Sequence, residues 1–403
     1  MKLSPNLLLT LCGFLPYSVF AHGPVTESNS PIQIWGAASM TWHSQGSVGQ
    51  DELWRIPGTL MGGDSYPTQQ GFAIDDAFIA MSYRFDDDNF VMAKAGVHND
   101  GSGHSSINAE SLFLHHNLFP TYKTTVDIGL IHATFSPTAS YHSSQQTLSE
   151  APLITDIFWG RTFHDTGIRL HSKTFKNIEL GFELFQGNSF PATPGEKGGS
   201  QDIYLKFLPK LTDWHFASGV WAMNAEAYQR SDMRYSDGGH SHSTSFITLP
   251  NDVRFSETTQ LAGAWLALRT PKYLGVNWGL ETEVVGTQSD GEIFDSTRQA
   301  DYQSNHLGFY ITPSIYLNEH QFSYRYERVA FDNTVTGSGA GTLSTAENAN
   351  LQNEHTPERQ ILQWKWQTTP LIAWRFAFTQ DKSLSNESID RYSVGLVWGK
   401  QKY

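Results

Sequence analysis

The stretch VNWGLETEV at residues 276–284 decides the fold class. Its even-numbered positions are apolar or weakly polar, and its odd-numbered positions hold Asn, Gly and Glu. Successive side chains of a β-strand point to opposite faces, so this stretch has one apolar and one polar face. A tilted strand crosses a bilayer in about ten residues. The stretch is therefore predicted to be a membrane-spanning strand.

The same period-two alternation recurs along the whole chain, which predicts an all-β protein. No internal linker or change in composition divides the chain. The predicted strands cover residues 32–43, 74–85, 90–98, 110–118, 124–135, 164–173, 178–187, 200–208, 213–228, 256–269, 276–287, 305–317, 320–330, 357–368, 372–381 and 389–399.

The connections between these strands alternate between short and mostly long. The short ones are 86–89, 119–123, 174–177, 209–212, 270–275, 318–319 and 369–371. The others, rich in Gly, Ser, Asn, Asp and Thr, are 44–73, 99–109, 136–163, 188–199, 229–255, 288–304, 331–356 and 382–388. Strict alternation places all short turns at one rim of a closed sheet. The prediction is a transmembrane antiparallel β-barrel of about sixteen strands, within about 14 to 18, with short periplasmic turns and long external loops.

The first 21 residues have the features of a secretory signal peptide. Lys2 supplies a positive charge, residues 7–15 are apolar, and Ala21 ends a small-residue cleavage site. The predicted organisation is a signal at 1–21, a short periplasmic segment at 22–31 and one barrel domain at 32–403. The single cysteine, Cys12, lies in the signal, so no disulfide framework is expected.

Composition excludes some classes of function. The chain has 27 basic and 40 acidic residues and a formal net charge of −13, which argues against a nucleic-acid partner. Aromatic residues reach 13% while hydrophobic residues reach only 39%, which suits a wall that is apolar on one side and polar on the other. No apolar run after the signal has the roughly 18 residues of a transmembrane helix.

Together, the signal, the alternating strands, the two kinds of connection and a last strand ending near Tyr403 resemble Gram-negative outer-membrane channels of the porin type. Residues 391–398 resemble the terminal strand that the outer-membrane assembly machinery recognises, although such chains usually end in Phe. The resemblance implies an outer-membrane location, lipid and that machinery as partners, a homotrimer, and passive diffusion of small hydrophilic solutes. General porins also have an acidic, glycine-rich constricting third loop, and residues 136–155 show no match to it.

If the apolar faces contact lipid, the polar faces line the lumen. The predicted pore-lining residues are Arg84, Lys94, Asp127, Arg169, Glu179, Glu183, Lys206, Arg269, Glu281, Glu283, Arg325, Glu327, Lys365, Arg375 and Arg391. With Asp76 and Asp202 on the same faces, the two signs nearly balance, which favours small polar solutes without strong ion choice. Much of the negative charge then lies in loops, which predicts a mild cation preference. The alternative is that these charges pair across the lumen and stiffen the wall.

Four histidines suggest a weak metal site in the external loops: His98, His104, His240 and His242. Neutral imidazole binds zinc, copper and nickel, so loop-bound divalent ions, zinc among them, are a hypothesis for the transported solute. The alternative is that these are solvated loop histidines. No other cofactor is expected.

Two other classes of function stay open. His142 stands beside Ser143 and Ser144, but adjacency in sequence does not make a catalytic triad, and the chain is not predicted to be an enzyme. Only residues 22–31 precede the first strand, which leaves no room for a plug domain. The runner-up to a channel is a non-conducting outer-membrane receptor or adhesin.

Overall fold

The described part of the chain contains sixteen β-strands. The computed structural model describes residues 30–48, 54–99, 105–235, 252–352 and 355–399. The strands β1 to β16 are Ile32–His43, Gly71–Arg84, Asn89–Asn99, Ser105–Phe119, Thr124–His132, His164–Ser172, Ile178–Phe185, Gly199–Phe207, His215–Ser231, Arg254–Arg269, Val276–Phe294, Gln299–Leu317, His320–Thr336, Glu358–Thr369, Ile372–Lys382 and Ile389–Gly399. The predicted signal and periplasmic segment lie almost entirely outside the described residues, so that division stays a prediction.

The strands close into one barrel. Each strand pairs antiparallel with its neighbours in sequence, and β1 pairs with β16 from Ala37 opposite Gly399 to His43 opposite Ser393. In hydrocarbon, every backbone N–H and C=O needs a partner within the protein, and a closed sheet supplies one for each. The predicted fold class is therefore confirmed.

The two faces of the wall differ as the alternation predicts. In β8, every second side chain is buried, while Ile203 between them is 61% exposed. Val220, Trp278 and Leu307 on other strands also point outward and are more than half exposed. Exposed apolar side chains around a closed barrel match a lipid-facing surface, which agrees with an outer-membrane location.

Two external connections are less than half as long as predicted. The connection predicted at 288–304 is mostly strand, because β11 continues to Phe294 and β12 begins at Gln299. Similarly, β4 begins at Ser105 inside the connection predicted at 99–109. Beyond the hydrocarbon, outward-facing residues such as Gln288 and Asp290 are polar, so the apolar alternation ends while the hydrogen-bonded ladder continues.

Helix is confined to short pieces of the connections. In the described residues these are α1 (Leu153–Phe158) and α2 (Ala340–Leu343), together with a few 3₁₀ turns. No helix in the described part of the chain is long and apolar enough to span a membrane.

Two tryptophans on neighbouring strands each cover a glycine of the other strand. Trp221 on β9 lies opposite Gly263 on β10, and Trp265 on β10 lies opposite Gly219 on β9. A Cβ at Gly263 would stand 2.5 Å from Trp221 Cε2, and one at Gly219 would stand 2.6 Å from Trp265 Cε2. Glycine at these positions lets the indole rings lie flat against the inner wall, as in aromatic rescue of strand glycines.

We predict that Gly263→Ala destabilises the barrel by about 1–3 kcal/mol, because the new methyl group displaces the Trp221 ring. Gly286→Ala is the matched control, since the nearest atom to a Cβ there is 4.0 Å away. Urea unfolding of the two variants in lipid vesicles measures the difference. Equal stability of the two variants would contradict the packing described here.

Candidate functional site

The connection between β5 and β6, residues 133–163, turns into the barrel and is named loop 3 here. Nearly all of its side chains are buried or half-buried, and all six residues of α1 within it are buried. Its two limbs meet at their base, where Phe163 N donates to Ala139 O at 2.8 Å and Ser140 bridges to Thr162. The loop enters the barrel although residues 136–155 lack the acidic, glycine-rich segment expected of a constricting loop.

An apolar cluster holds one side of loop 3. The ring centroid of Phe135 lies 4.5 Å from that of Trp221 and 5.8 Å from that of Trp159. Trp265 Nε1 on β10 donates to Phe135 O at 3.2 Å. This part of the interior is therefore packed like a protein core.

Three acidic side chains of the wall accept hydrogen bonds from threonines of loop 3. Glu183 on β7 accepts from Thr134 N at 3.0 Å and from Thr134 Oγ1 at 2.9 Å. Two glutamates of β11 also accept: Glu283 from Thr138 Oγ1 at 2.9 Å, and Glu281 from Thr147 Oγ1 at 2.8 Å. Buried polar groups are expected to be satisfied in this way.

Arginines on β13 to β16 hold the opposite side of loop 3 through Glu150. Arg391 pairs with Glu150 and, at 3.0 Å, with Asp381. Arg359 lies 3.4 Å from Glu150 and 3.0 Å from Glu327. Arg325, Arg359, Arg375 and Arg391 are together named the arginine wall.

The arginine wall also binds main-chain carbonyl groups of loop 3. Arg325 Nη2 donates to Glu150 O at 2.6 Å, and Arg375 Nη2 donates to Ser143 O at 2.8 Å and to Gln146 O at 2.6 Å. Because guanidinium has five donors in a fixed fork, one side chain satisfies several carbonyl groups at once. A 3₁₀ turn at Ser143–Gln145 and these guanidinium groups together satisfy the loop's main chain at this point.

Loop 1, the connection between β1 and β2, packs on loop 3. Ser65 Oγ donates to Asp156 O at 2.5 Å, and Asp64 N donates to Gly160 O at 2.9 Å. Arg161 joins the two loops, with Nη2 donating to Tyr66 O at 2.9 Å and Nε donating to Asp156 at 2.7 Å. Two of the external connections thus enter the interior as one packed unit.

All fifteen predicted pore-lining residues lie on the inward face of the wall. Twelve are buried, and Arg84, Arg269 and Glu281 are half-buried. Many pair with one another or hold loop 3; Arg169, for example, lies 3.0 Å from Asp127 and 2.5 Å from Glu183. Whether they line an open path stays a prediction.

The alternation missed several inward charges. Glu110 and Ser111 both point inward because a bulge interrupts the pairing of β3 and β4 at this point, and a bulge shifts the phase of the side chains. Arg359 has the same parity as Lys365, but Ile361 between them is also buried, which weakens the polar pattern of that face. Glu150 lies in loop 3, where no periodicity applies.

The predicted metal-binding histidines fall largely outside the described residues. His104, His240 and His242 are not described, and for His98 only its place in β3 is given. The loop metal site therefore stays a prediction.

Known proteins share the fold of this chain but little of its sequence. No protein-family model matches the chain, and no curated protein matches it. A loop-deletion form of the Vibrio cholerae outer membrane protein OmpT matches with a TM-score of 0.52 at 9% identity, covering 92% of this chain and 100% of that one. Pseudomonas putida OprB matches with a TM-score of 0.52 at 8% identity, covering 92% and 94%. The Acinetobacter baumannii outer membrane channel DcaP matches with a TM-score of 0.50 at 10% identity, covering 91% and 96%.

The chain has the porin-type outer-membrane barrel fold. Because the identities are this low, the likeness carries no information about solute, selectivity or assembly. Any functional conclusion for this barrel has to come from its own interior.

We predict that Glu150→Gln lowers the free energy of unfolding at neutral pH by about 1.5–3 kcal/mol, since it removes charge-assisted hydrogen bonds to Arg391 and Arg359. Burial raises the pKa of Glu150, but these two arginine charges outweigh burial and bring the pKa below its ordinary value of 4.5. A carboxylate with a lowered pKa contributes its full stability above its unfolded value, and the contribution is lost as the pH falls toward the folded one.

Urea unfolding in vesicles at several pH values measures this effect. The difference between wild type and Glu150→Gln should be constant above about pH 5 and should shrink on acidification. Glu319→Gln, in the exposed turn between β12 and β13, is the control. A difference that grows at low pH would contradict the assignment.

Proposed function

We propose that this protein is an outer-membrane channel for small hydrophilic solutes, in which loop 3 forms the constriction. The observation that carries the proposal is the convergence of inward charges from strands all around the barrel on one infolded loop. A barrel that only presented external loops to other cells would not need its interior charges arranged around such a segment. The porin-type fold agrees with this function.

The described contacts imply a narrow passage. At the level of loop 3, apolar rings pack on one side and the arginine wall binds the loop on the other. Solutes therefore pass alongside loop 3, which is held by buried contacts and limits the size of the solutes that can cross. The weak cation preference inferred from the acidic loops belongs to the same proposal.

Three finer parts of the proposal rest on the sequence. Divalent metal ions such as zinc, collected by His98, His104, His240 and His242, are proposed among the solutes. Assembly as a homotrimer and insertion by the outer-membrane assembly machinery are also proposed.

Single-channel conductance in a planar bilayer tests the channel. We expect steady open steps from the folded wild type and weak cation preference in a salt gradient. A variant in which two glycines replace residues 141–161 should conduct several-fold more, because the bridged residues Ser140 and Thr162 can close a tight hairpin without loop 3. Glu319→Ala should conduct like wild type.

The outcomes separate the alternatives. Folded, heat-modifiable protein without conductance in either form would overturn the channel and favour a receptor, an adhesin or a barrel enzyme. Equal conductance of wild type and the loop 3 variant would leave a channel but would remove loop 3 as its constriction. Block by zinc that is lost in a His240→Ala, His242→Ala double variant would support the proposed metal solutes.

A further inference from the structure

A second group of histidines lies inside the barrel, away from the predicted loop site. Glu110 on β4, His132 at the end of β5 and His142 on loop 3 place one potential ligand atom each within 4.8 Å of the others. Glu110 Oε2 lies 3.8 Å from His132 Nε2 and 3.7 Å from His142 Nε2. All three side chains are buried.

The surrounding hydrogen bonds orient both imidazole rings. Ser140 Oγ donates to Phe163 O at 3.1 Å, so at 2.8 Å it accepts the proton of His132 Nδ1. His132 Nε2 then carries the lone pair and faces Glu110. This arrangement, with one ring nitrogen held by a hydrogen bond and the other directed at a shared point, is the usual setting of a metal-binding histidine.

His142 also directs its Nε2 atom toward Glu110. Lys94 Nζ lies 2.7 Å from His142 Nε2, and because an ammonium group only donates, Nε2 is the acceptor. His142 Nδ1 lies 3.9 Å from Asp76 Oδ2, and Ser144 fixes that carboxylate through N at 2.7 Å and Oγ at 2.6 Å. The Nε2 atoms of both rings thus lie near the carboxylate of Glu110.

The Lys94 ammonium group lies between two of these ligand atoms. Lys94 Nζ is 2.7 Å from Glu110 Oε2 as well as from His142 Nε2, and it lies 4.3 Å from the centre of the Phe78 ring. Two imidazoles and one carboxylate are a donor set that zinc prefers. Tetrahedral bonds of about 2.0–2.1 Å put ligand atoms about 3.3 Å apart. The observed 3.7 and 3.8 Å from Glu110 to the two rings require a contraction of about 0.5 Å, and the two rings, within 4.8 Å of each other, approach by at most about 1.5 Å.

We propose that Glu110, His132 and His142 form a zinc site in which the metal ion and the Lys94 ammonium group exchange for one position. The carboxylates of Glu110 and Asp76 balance the two charges of the ion. Because His142 belongs to loop 3 and the other two ligands belong to the wall, bound zinc fastens the loop to β4 and β5. Zinc binding here does not depend on whether the barrel conducts.

The other histidine–carboxylate group in the described residues is a poorer site. His115, Asp127 and His171 also lie close together, but Asp127 holds the Arg169 guanidinium at 3.0 Å. Arg169 is fixed further by Glu183 and by the carbonyl group of His132, so it cannot leave as a single flexible ammonium group can. This group provides the matched control.

Titration of the refolded full-length protein with zinc, followed by calorimetry, and with cobalt, followed by its visible d–d absorption, tests the site. We expect one tightly bound ion per chain in wild type, in addition to any weak binding by the loop histidines. Lys94→Ala should bind zinc at least about tenfold more tightly, because it removes a positive charge from the position that the ion takes. Ser140→Ala should weaken binding by about 10–100-fold, and His132→Ala or His142→Gln should weaken it further.

The controls separate this site from the others. His171→Ala and the His240→Ala, His242→Ala double variant should keep the tightly bound ion with wild-type affinity, and heat-modifiability in gels verifies that each variant is folded. A purely structural ion pair predicts that Lys94→Ala binds no zinc, and that result would overturn the proposal. Binding that survives the loss of both His132 and His142 would also overturn it.

Discussion

The constraint on which the rest of this structure depends is the pairing of backbone groups in hydrocarbon. An unpaired N–H or C=O in lipid costs several kcal/mol, so the sheet has to close, and here β1 closes on β16. Closure fixes one face of every strand to lipid and the other to the interior. The alternation of side chains along the sequence follows directly from that division. The even number of strands follows from the antiparallel pairing of β1 with β16.

Closure also creates an interior that the chain has to fill or hydrate. In this barrel, loops 1 and 3 enter it and bring backbone groups that no ladder satisfies. The arginine wall and the inward carboxylates meet this need, because Arg325, Arg375 and Glu183 bind main-chain groups of loop 3 as well as side chains. The same residues that sequence alternation assigns to a pore wall thus also anchor loop 3. Some interior charges also pair with each other within the wall, which was the alternative to a pore lining: Arg169 pairs with Asp127 and Glu183, and Lys206 pairs with Glu179.

The strands could be predicted from the sequence because the signal for each strand is local. Each strand carries its own period-two signal, so 276–284 could be interpreted without knowing its neighbours, and both ends of β16 agree with the prediction. The predicted strand ends were less accurate beyond the membrane, as at Gln288 and Asp290. Outward-facing residues there contact water, so they can be polar while the strand continues. The prediction was inaccurate at Glu110, where a bulge changes the phase. The path of loop 3 depends on contacts such as Glu150 with Arg391, more than 200 residues apart, and no local pattern records such contacts.

The two kinds of contact that hold loop 3 have the same consequence for its movement. Contacts among Phe135, Trp159 and Trp221 depend on excluding water, and the Glu150 ion pairs are buried, so salt screens neither as it would screen surface charges. Loop 3 is therefore not a flap that ionic strength alone would release. Movement of the loop requires many contacts to break together, which makes it a cooperative local unfolding step rather than a hinge motion. A barrel built in this way keeps loop 3 in place under ordinary changes of the medium, and a ligand that binds loop 3 and the wall at once would hold it there more firmly.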